Sequence, residues 1–437
     1  MEHEALFDYF PPAAPAAWKK QILKEIKAAT DAEKEAIFDR KLRWRTPEGV
    51  VVEPFYTPES AASFPAVPLR EKAGWRGREE ITVQTAEAAN GLAREALAGG
   101  IEDVSFDLRR KPPAQPEALL AGLSPDGPVR LLLDGVSLNG GQQLRAGGAD
   151  CVIAVDWLSC PGAPEATHYD GLAQLVGGSR ALPGKRPLVI GGGSLQDVGA
   201  AATQELAFTL AAFVDCVDKL TDRRLDAETV FANTELSLAA DTNFFFQVAK
   251  FRALRVLAAQ VGAAYGVQGA AVEVHGRTAR WNKFRQDAYN NMLRATLEAM
   301  AAVLGGCDTL TVEPYNVRFA EPDDLSRRVA RNVHAILREE SYLAKVADPA
   351  AGAYYLENTT YALASRAWEL FQAVEGQGGY WVAQRNGFIR REIEQVRAQR
   401  EAALRSGEQV LVGINKYLPQ GGANLPEALF EPLPGGY

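Results

Sequence analysis

The apolar run Leu188-Val189-Ile190 passes into Gly191-Gly192-Gly193 and then into a helical pattern from about residue 200. A glycine-rich exit from a strand into a helix can cradle phosphate on backbone N–H groups. The dinucleotide fingerprint needs glycine at positions one, three and six. Counted from Gly191 the sixth residue is Gln196, and counted from Gly193 the third is Leu195. No Gly-Lys-Ser/Thr closes the run, as a Walker loop requires. Two readings remain: a looser anion cradle at the helix start, or a tight strand exit where glycine tolerates unusual backbone angles. The cysteines offer no second centre. Cys151, Cys160, Cys216 and Cys307 are scattered without metal-like or framework spacing, which predicts reduced thiols in a cytoplasmic protein.

The elements that would position such a loop alternate along the chain. Seven short apolar strands are predicted within "VSFDL", "VRLLLDG", "CVIAVDW", "PLVIGG", "LSLAAD", "VEVHG" and "TLTVEP", with an eighth near "GAYYLE". Amphipathic helices follow several of them. One starts near Asn243 with Phe245, Val248, Ala249, Ala253, Val256 and Leu257 on its apolar stripe; another starts near Asp287 with Tyr289, Leu293, Leu297, Met300 and Leu304. Repeated βα units imply parallel strands with right-handed crossovers. The expected fold is therefore α/β, a (β/α)8 TIM-type barrel over 71–355, with an N-terminal arm over 1–70 and a helical C-terminal extension over 356–437. An open doubly wound sheet is the alternative.

The chain has 437 residues, 47% of them apolar, and a net charge of −8. The acidic balance argues against sequence-independent nucleic-acid binding. No apolar run is long enough to span a membrane, and the N-terminus lacks the pattern of a signal peptide. The arm is too apolar for a solvated linker. Trp18 and Ile22 share a helical face, and Trp44, Phe55 and Tyr56 follow; such a segment packs on its own domain or on a partner.

The glycine loop resembles the fourth-strand loop of the methylmalonyl-CoA mutase family. Catalytic chains of that family carry Ile-Ser-Gly-Tyr-His shortly before Ala-Gly-Ala and a helix rich in Glu-Leu-Ala and Thr-Leu-Ala. Ile190, Gly192, Gly199, Ala200, Glu205-Leu206-Ala207 and Thr209-Leu210-Ala211 match without a gap. "RWRTPEGVVVEPFYT", "NFFFQVAKFRALR" with Lys250, Arg252 and Arg255 in register, "DAYNNMLRATLEAMAAVLGG", "AKVADPAAGAYYLE" and "VGINKY" are similar to further family segments. The resemblance runs from about residue 42 to 417 and is poor over 75–185.

The resemblance implies a barrel in which a CoA thioester meets adenosylcobalamin, whose Co–C bond breaks homolytically before the carbon skeleton rearranges. It also implies what is lost. The family's Tyr position is Gly193 and its His position is Ser194, so the donor to the thioester carbonyl, typically worth roughly 3–4 kcal/mol, has no counterpart. Arg277-Thr278-Ala279-Arg280 stands where the family has Gln-Thr-Ser-Gly, and "VIAVDWLSC" where it has a third-strand Gln motif. His275 is kept, as a substrate contact or as a structural histidine. Arg252 would either meet a CoA phosphate, form a buried ion pair, or pack its stem on the core with its head in water. The apolar strands predict a barrel filled with Leu, Val and Ile. None of His3, His168, His275 and His334 lies in the Asp-x-His-x-x-Gly motif that ligates cobalt.

The expectation is a small, non-catalytic subunit of a heterodimeric mutase interconverting methylmalonyl-CoA and succinyl-CoA. It would bind no cofactor or metal itself, with adenosylcobalamin on a large catalytic partner subunit and with Trp18, Ile22, Trp44, Phe55 and Tyr56 at the interface. Two alternatives stand beside it: an active acyl-CoA mutase barrel served by a separate cobalamin-binding subunit, and a CoA-thioester-binding module without chemistry.

Overall fold

The computed structural model describes residues 14–431 except 62–63, 69, 71, 110–115, 124–128, 136–151, 161, 180–185, 270–271, 420–424 and 427; His3 and Cys151 lie outside the described residues. The arm begins with helices Pro15–Glu25 and Asp31–Leu42. Thr30 and Glu33 form a capping box at the start of the second. Strands β1 (Trp44–Arg45) and β2 (Val51–Val52) then pair antiparallel around a turn in which Gly49 takes φ +76°, a conformation glycine adopts without steric cost.

Eight strands follow: β3 (Arg76–Thr82), β4 (Asp103–Asp107), β5 (Val129–Asp134), β6 (Val152–Asp156), β7 (Leu188–Gly191), β8 (Thr234–Ala240), β9 (Glu273–Thr278) and β10 (Thr309–Thr311). All neighbours are parallel, and β10 pairs with both β9 and β3, so the sheet closes into a barrel. The expected TIM-type barrel is what forms, and the open sheet is excluded.

One strand was expected in the wrong place. Residues 352–357 do not form the eighth strand, because the helix Tyr354–Glu375 begins there. The missing strand is β3, and charge hides it. Arg78 reaches Glu235 across the barrel, while Glu79, on the opposite face, pairs with Arg327 and Arg331 of the helix Asp324–Ala335 at 3.1 and 3.3 Å. A search for alternating apolar residues passes over a strand that is charged on both faces.

Outward-facing Val104, Phe106, Leu131, Leu133, Ile153, Val155, Leu188, Ile190, Leu236 and Leu238 join the main core with the surrounding helices. The helix Ala202–Thr221 is buried along nearly its whole length because the helix Tyr354–Glu375 covers the face turned away from the barrel, which explains an apolar composition all round. Trp75 donates from Nε1 to His334 Nδ1 at 3.2 Å, and burial together with Arg338 pulls the imidazole pKa down to about 3, so His334 is a neutral acceptor.

The stripe of the helix Asn290–Leu304 divides: Met300 and Leu304 pack against the core, whereas Tyr289, Leu293 and Leu297 are 69, 65 and 57% exposed and face outward. The buried face carries Ala295, Ala299, Ala302 and Val303. Small side chains let the helix sit close to the barrel: a Cβ on Gly276 of β9 would lie 3.0 Å from that of Ala302. Among the described residues no helix is long and apolar enough to cross a membrane.

Candidate functional site: a barrel axis closed by ion pairs

The strands point ionic side chains at the axis. Arg78 donates bidentately to Glu235 at 2.8 and 2.9 Å and from Nε to Asp103 at 2.8 Å. Arg130 donates to the same Glu235 carboxylate at 3.1 and 3.2 Å and to Ser105 Oγ at 3.1 Å. Below them, Arg76 and Arg186 pair with Glu273 at 2.5 and 3.2 Å. Burial would raise the Glu235 pKa, but Arg130 and Arg78 overcome it and hold the group well below the usual carboxylate range. His275 sits beside this cluster, with Nδ1 2.8 Å from Ser237 Oγ and Nε2 2.9 Å from Thr311 Oγ1. Burial, reinforced by Arg78, pushes its pKa down despite Glu235, and the ring is neutral.

The C-terminal mouth, where TIM barrels carry their active sites, is cross-linked too. Arg109 pairs with Glu80, Asp107 and Asp156 at 3.0, 2.8 and 2.9 Å. Arg277 donates to Asp197 at 2.8 Å and to the Gly193 carbonyl at 2.9 Å. Arg280 pairs with Glu313 at 2.7 Å. Around Arg109, Arg130, Glu235 and Arg277 on the axis, the described residues leave a cavity of about 60 Å³, against roughly 300–1,000 Å³ for an ordinary small-molecule site; a cavity of about 390 Å³ lies to the side, between β3, β10 and the helices Ala86–Ala98 and Asp324–Ala335, and touches Arg78, Glu80, Arg280 and Glu313.

The interior therefore differs from the hydrocarbon filling that the strand sequences predict. Alternation sends Leu131 and Leu133 outward and Arg130, Leu132 and Asp134 inward, and among the described residues the apolar cluster on the inner side is the small group Leu132, Ala154 and Val189. The barrel is closed, but by guanidinium–carboxylate pairs.

Crowding accounts for the glycine run. A Cβ on Gly191 would lie 2.6 Å from the Asp156 carboxylate, one on Gly192 2.0 Å from Thr209 Oγ1, and one on Gly193 3.0 Å from Arg277 Nη2. Backbone freedom is not the reason, since Gly192 has φ −56°. The Gly191 N–H donates to Asp156 Oδ1 at 3.1 Å, and the short helix Gly193–Asp197 follows at once. Gly192→Ala should thus cost about 1–3 kcal/mol through overpacking against Thr209. Thermal unfolding of the single variant checks this, and Thr209→Ala in the same chain should restore much of the loss.

The structure brings Gly193, Ser194 and His275 to the rim of the axial cavity of about 60 Å³. Ser194 Oγ donates back to the Gly191 carbonyl at 2.8 Å. Arg252 lies elsewhere, outside the barrel, in buried ion pairs with Asp348 and with Glu357 at 2.7 Å. The arm residues pack on their own chain: Trp18 against Phe55 and Phe38, Trp44 against Phe246, and Tyr56 against Tyr355. Ile22 is half-buried on its helix. The described histidines do not fit a cobalt ligand, because His275 and His334 are enclosed and His168 Nδ1 caps its own helix start at Glu165. Sequence reasoning missed Glu80, Arg109, Arg130, Asp156, Asp197, Glu235 and Glu313 as axis residues. Charges inside otherwise strand-like runs, as in "VRLLLD" and "NTELSLAA", were the available signal.

Fold and site together define a (β/α)8 barrel protein whose C-terminal mouth is bridged by ion pairs. The chain belongs to the methylmalonyl-CoA mutase family, whose model, described as methylmalonyl-CoA mutase, matches residues 164–429. A methylmalonyl-CoA mutase small subunit from Porphyromonas gingivalis is 32% identical, over 95% of this chain and 71% of that protein. A methylmalonyl-CoA mutase from Rhizobium meliloti is 30% identical, over 88% of this chain and 63% of that protein. The large subunit from Porphyromonas gingivalis is 27% identical, over 86% of this chain and 61% of that protein. The chain thus spans between three fifths and three quarters of the length of these relatives.

Proposed function

We propose that this chain is the small, non-catalytic subunit of a heterodimeric methylmalonyl-CoA mutase, working in the cytoplasm beside a large subunit that holds adenosylcobalamin and interconverts methylmalonyl-CoA and succinyl-CoA. The observation that carries the reading is the closed axis. A pantetheine chain has no path through Arg78, Arg130 and Glu235, and the residual cavity is about 60 Å³. Gly193 and Ser194 provide neither the phenol nor the imidazole that the family's chemistry uses. Relatives named as small and as large subunits both match this chain, which supports a two-chain enzyme. The buried thiols of Cys160, Cys216 and Cys307 suit a reducing compartment.

The partner's docking face, on this proposal, is the outward stripe Tyr289, Leu293 and Leu297 together with the neighbouring segment around Val412 and Tyr417. Arg294 ties the helix to this segment by donating to the Val412 carbonyl at 2.5 Å, and Val412 and Tyr417 are exposed as well. Contiguous exposed apolar residues of this kind mark interaction sites.

The test is co-expression with the large subunit of the same source. A one-to-one complex should elute from gel filtration, and only that complex should turn over methylmalonyl-CoA with adenosylcobalamin. Turnover by this chain with a separate cobalamin-binding protein, in the absence of any large subunit, would refute the reading and favour the active-barrel alternative.

A further inference from the structure

The described residues of the segment 425–431, all but 427, form neither helix nor strand, yet Leu429 and Phe430 are 0 and 1% exposed. These two side chains fill an apolar slot made by Trp281, Phe284, Leu404, Leu411 and Ile414. The Phe430 ring lies 4.9 Å from that of Trp281. The Arg400 guanidinium sits 4.9 Å from Phe430 and 5.0 Å from Trp281, a cation against the face of both rings. The backbone of the segment is tied as well. The Glu431 N–H donates to the Asp197 carbonyl at 3.1 Å, Arg397 donates to the Glu431 carbonyl at 2.7 Å, and Arg318 donates to the Ala428 carbonyl at 3.3 Å.

These anchors stand on loops that frame the C-terminal mouth. Asp197 ends the short helix after β7, and its carboxylate takes Arg277. Trp281 follows β9, directly after Arg280, and its carbonyl accepts from Arg318. Asp197 and Arg280 both line the axial cavity. The segment therefore joins the loop after β7 to the loop after β9, at the end of the barrel where TIM folds do their chemistry. Its hold is slight beside that of a barrel strand. It rests on two buried side chains and on hydrogen bonds to a loop carbonyl and to arginine side chains. A unit with so few contacts opens locally, at a lower free energy than the whole fold.

We propose that the segment 425–431 is a releasable strap across the C-terminal mouth, with Phe430 as its latch. Docked, it ties the two loops together, fills the slot and engages donors of Arg318 and Arg397 on its own carbonyls. Released, it opens the slot and those donors to water or to a ligand. The strap is thus a second closure, outside the ion pairs of the axis, and unlike them it can open without unfolding the barrel. The proposal needs no large subunit, since strap and slot belong to this chain.

Hydrogen exchange of the full chain, read by mass spectrometry, tests it. In wild type the amides of 425–431 should exchange at least about a hundredfold faster than those of β8, because the strap opens alone. Phe430→Ala should speed exchange at least about tenfold further in 425–431 and also in the loops 193–199 and 279–285, while β8 is unchanged. Exchange of 425–431 in wild type only in step with β8 would overturn the proposal, and that result needs no variant. Unchanged exchange of both loops in Phe430→Ala would overturn it too, since the segment would then close nothing.

Discussion

Replacing Glu235 with alanine is expected to lower the free energy of unfolding by about 3–5 kcal/mol, the cost of leaving buried charge without its partner. One fully buried carboxylate holds two guanidinium groups: Arg78 bidentately, and Arg130 at 3.1 and 3.2 Å. After the substitution Arg130 keeps Ser105 as its hydrogen-bond partner, and Arg78 keeps Asp103. Glu235→Gln should cost less, since an amide oxygen still accepts but the charge is gone. Urea unfolding measures both, and the loss should appear in the midpoint with little change of slope. The sign with pH follows from the depressed carboxylate pKa. The Glu235 contribution is fully present above its unfolded value, about 4.3, and is lost as pH falls below that. The gap between wild type and Glu235→Gln should therefore be constant near neutrality and narrow in strong acid.

That an ionic cluster of this cost stays at the centre of the barrel bears on function. In a working mutase the axis must admit a thioester, whereas here three layers of side chains bridge it: Arg76 with Glu273, then Arg78 and Arg130 with Glu235, then Arg109, Arg277 and Arg280 with the acids of the mouth. The arrangement can fill space with fixed geometry and little mobility, because each arginine fork is matched to planar carboxylate oxygens. Among the described residues, the arginines that line the axis are all engaged with carboxylates, which favours the supporting role proposed above.

Seven barrel strands and the helix exits were legible because their outward-facing residues are apolar where they meet the helices. Position β3 was not legible, since its outward Glu79 is neutralised by arginines more than two hundred residues away. The filling of the axis was misread for a related reason. "VRLLLD" looks hydrocarbon in bulk, yet the one residue that decides the barrel's centre is Arg130, the minority character in the run. The loss of the family's Tyr and His at Gly193 and Ser194 was legible by resemblance. Why glycine in particular stands there was not, because the crowding comes from Asp156, Thr209 and Arg277, all distant in sequence. Helix Asn290–Leu304 shows the limit of periodicity: an apolar stripe can be read from spacing, but its direction cannot.

That stripe carries the second large effect. Leu293→Asp with Leu297→Asp is expected to abolish co-purification with the large subunit, weakening the complex at least about a hundredfold. Burying a leucine contributes about 1.5–3 kcal/mol, so losing two removes about 3–6 kcal/mol, and every 1.4 kcal/mol is a factor of ten. Desolvating two carboxylates at the same contact adds to the loss. The free chain should be unharmed, because both positions face solvent and the helix is held by Ala295, Ala299, Ala302 and Val303 on its other side. Unchanged thermal unfolding of the double variant, together with loss of the complex on gel filtration, is the expected pair of results. Substituting Trp18 and Phe55, whose rings already pack on each other at 4.6 Å, should weaken the complex less, since part of their surface is satisfied within the arm. A double variant that still elutes with the large subunit would move the docking surface away from this helix and back to the arm.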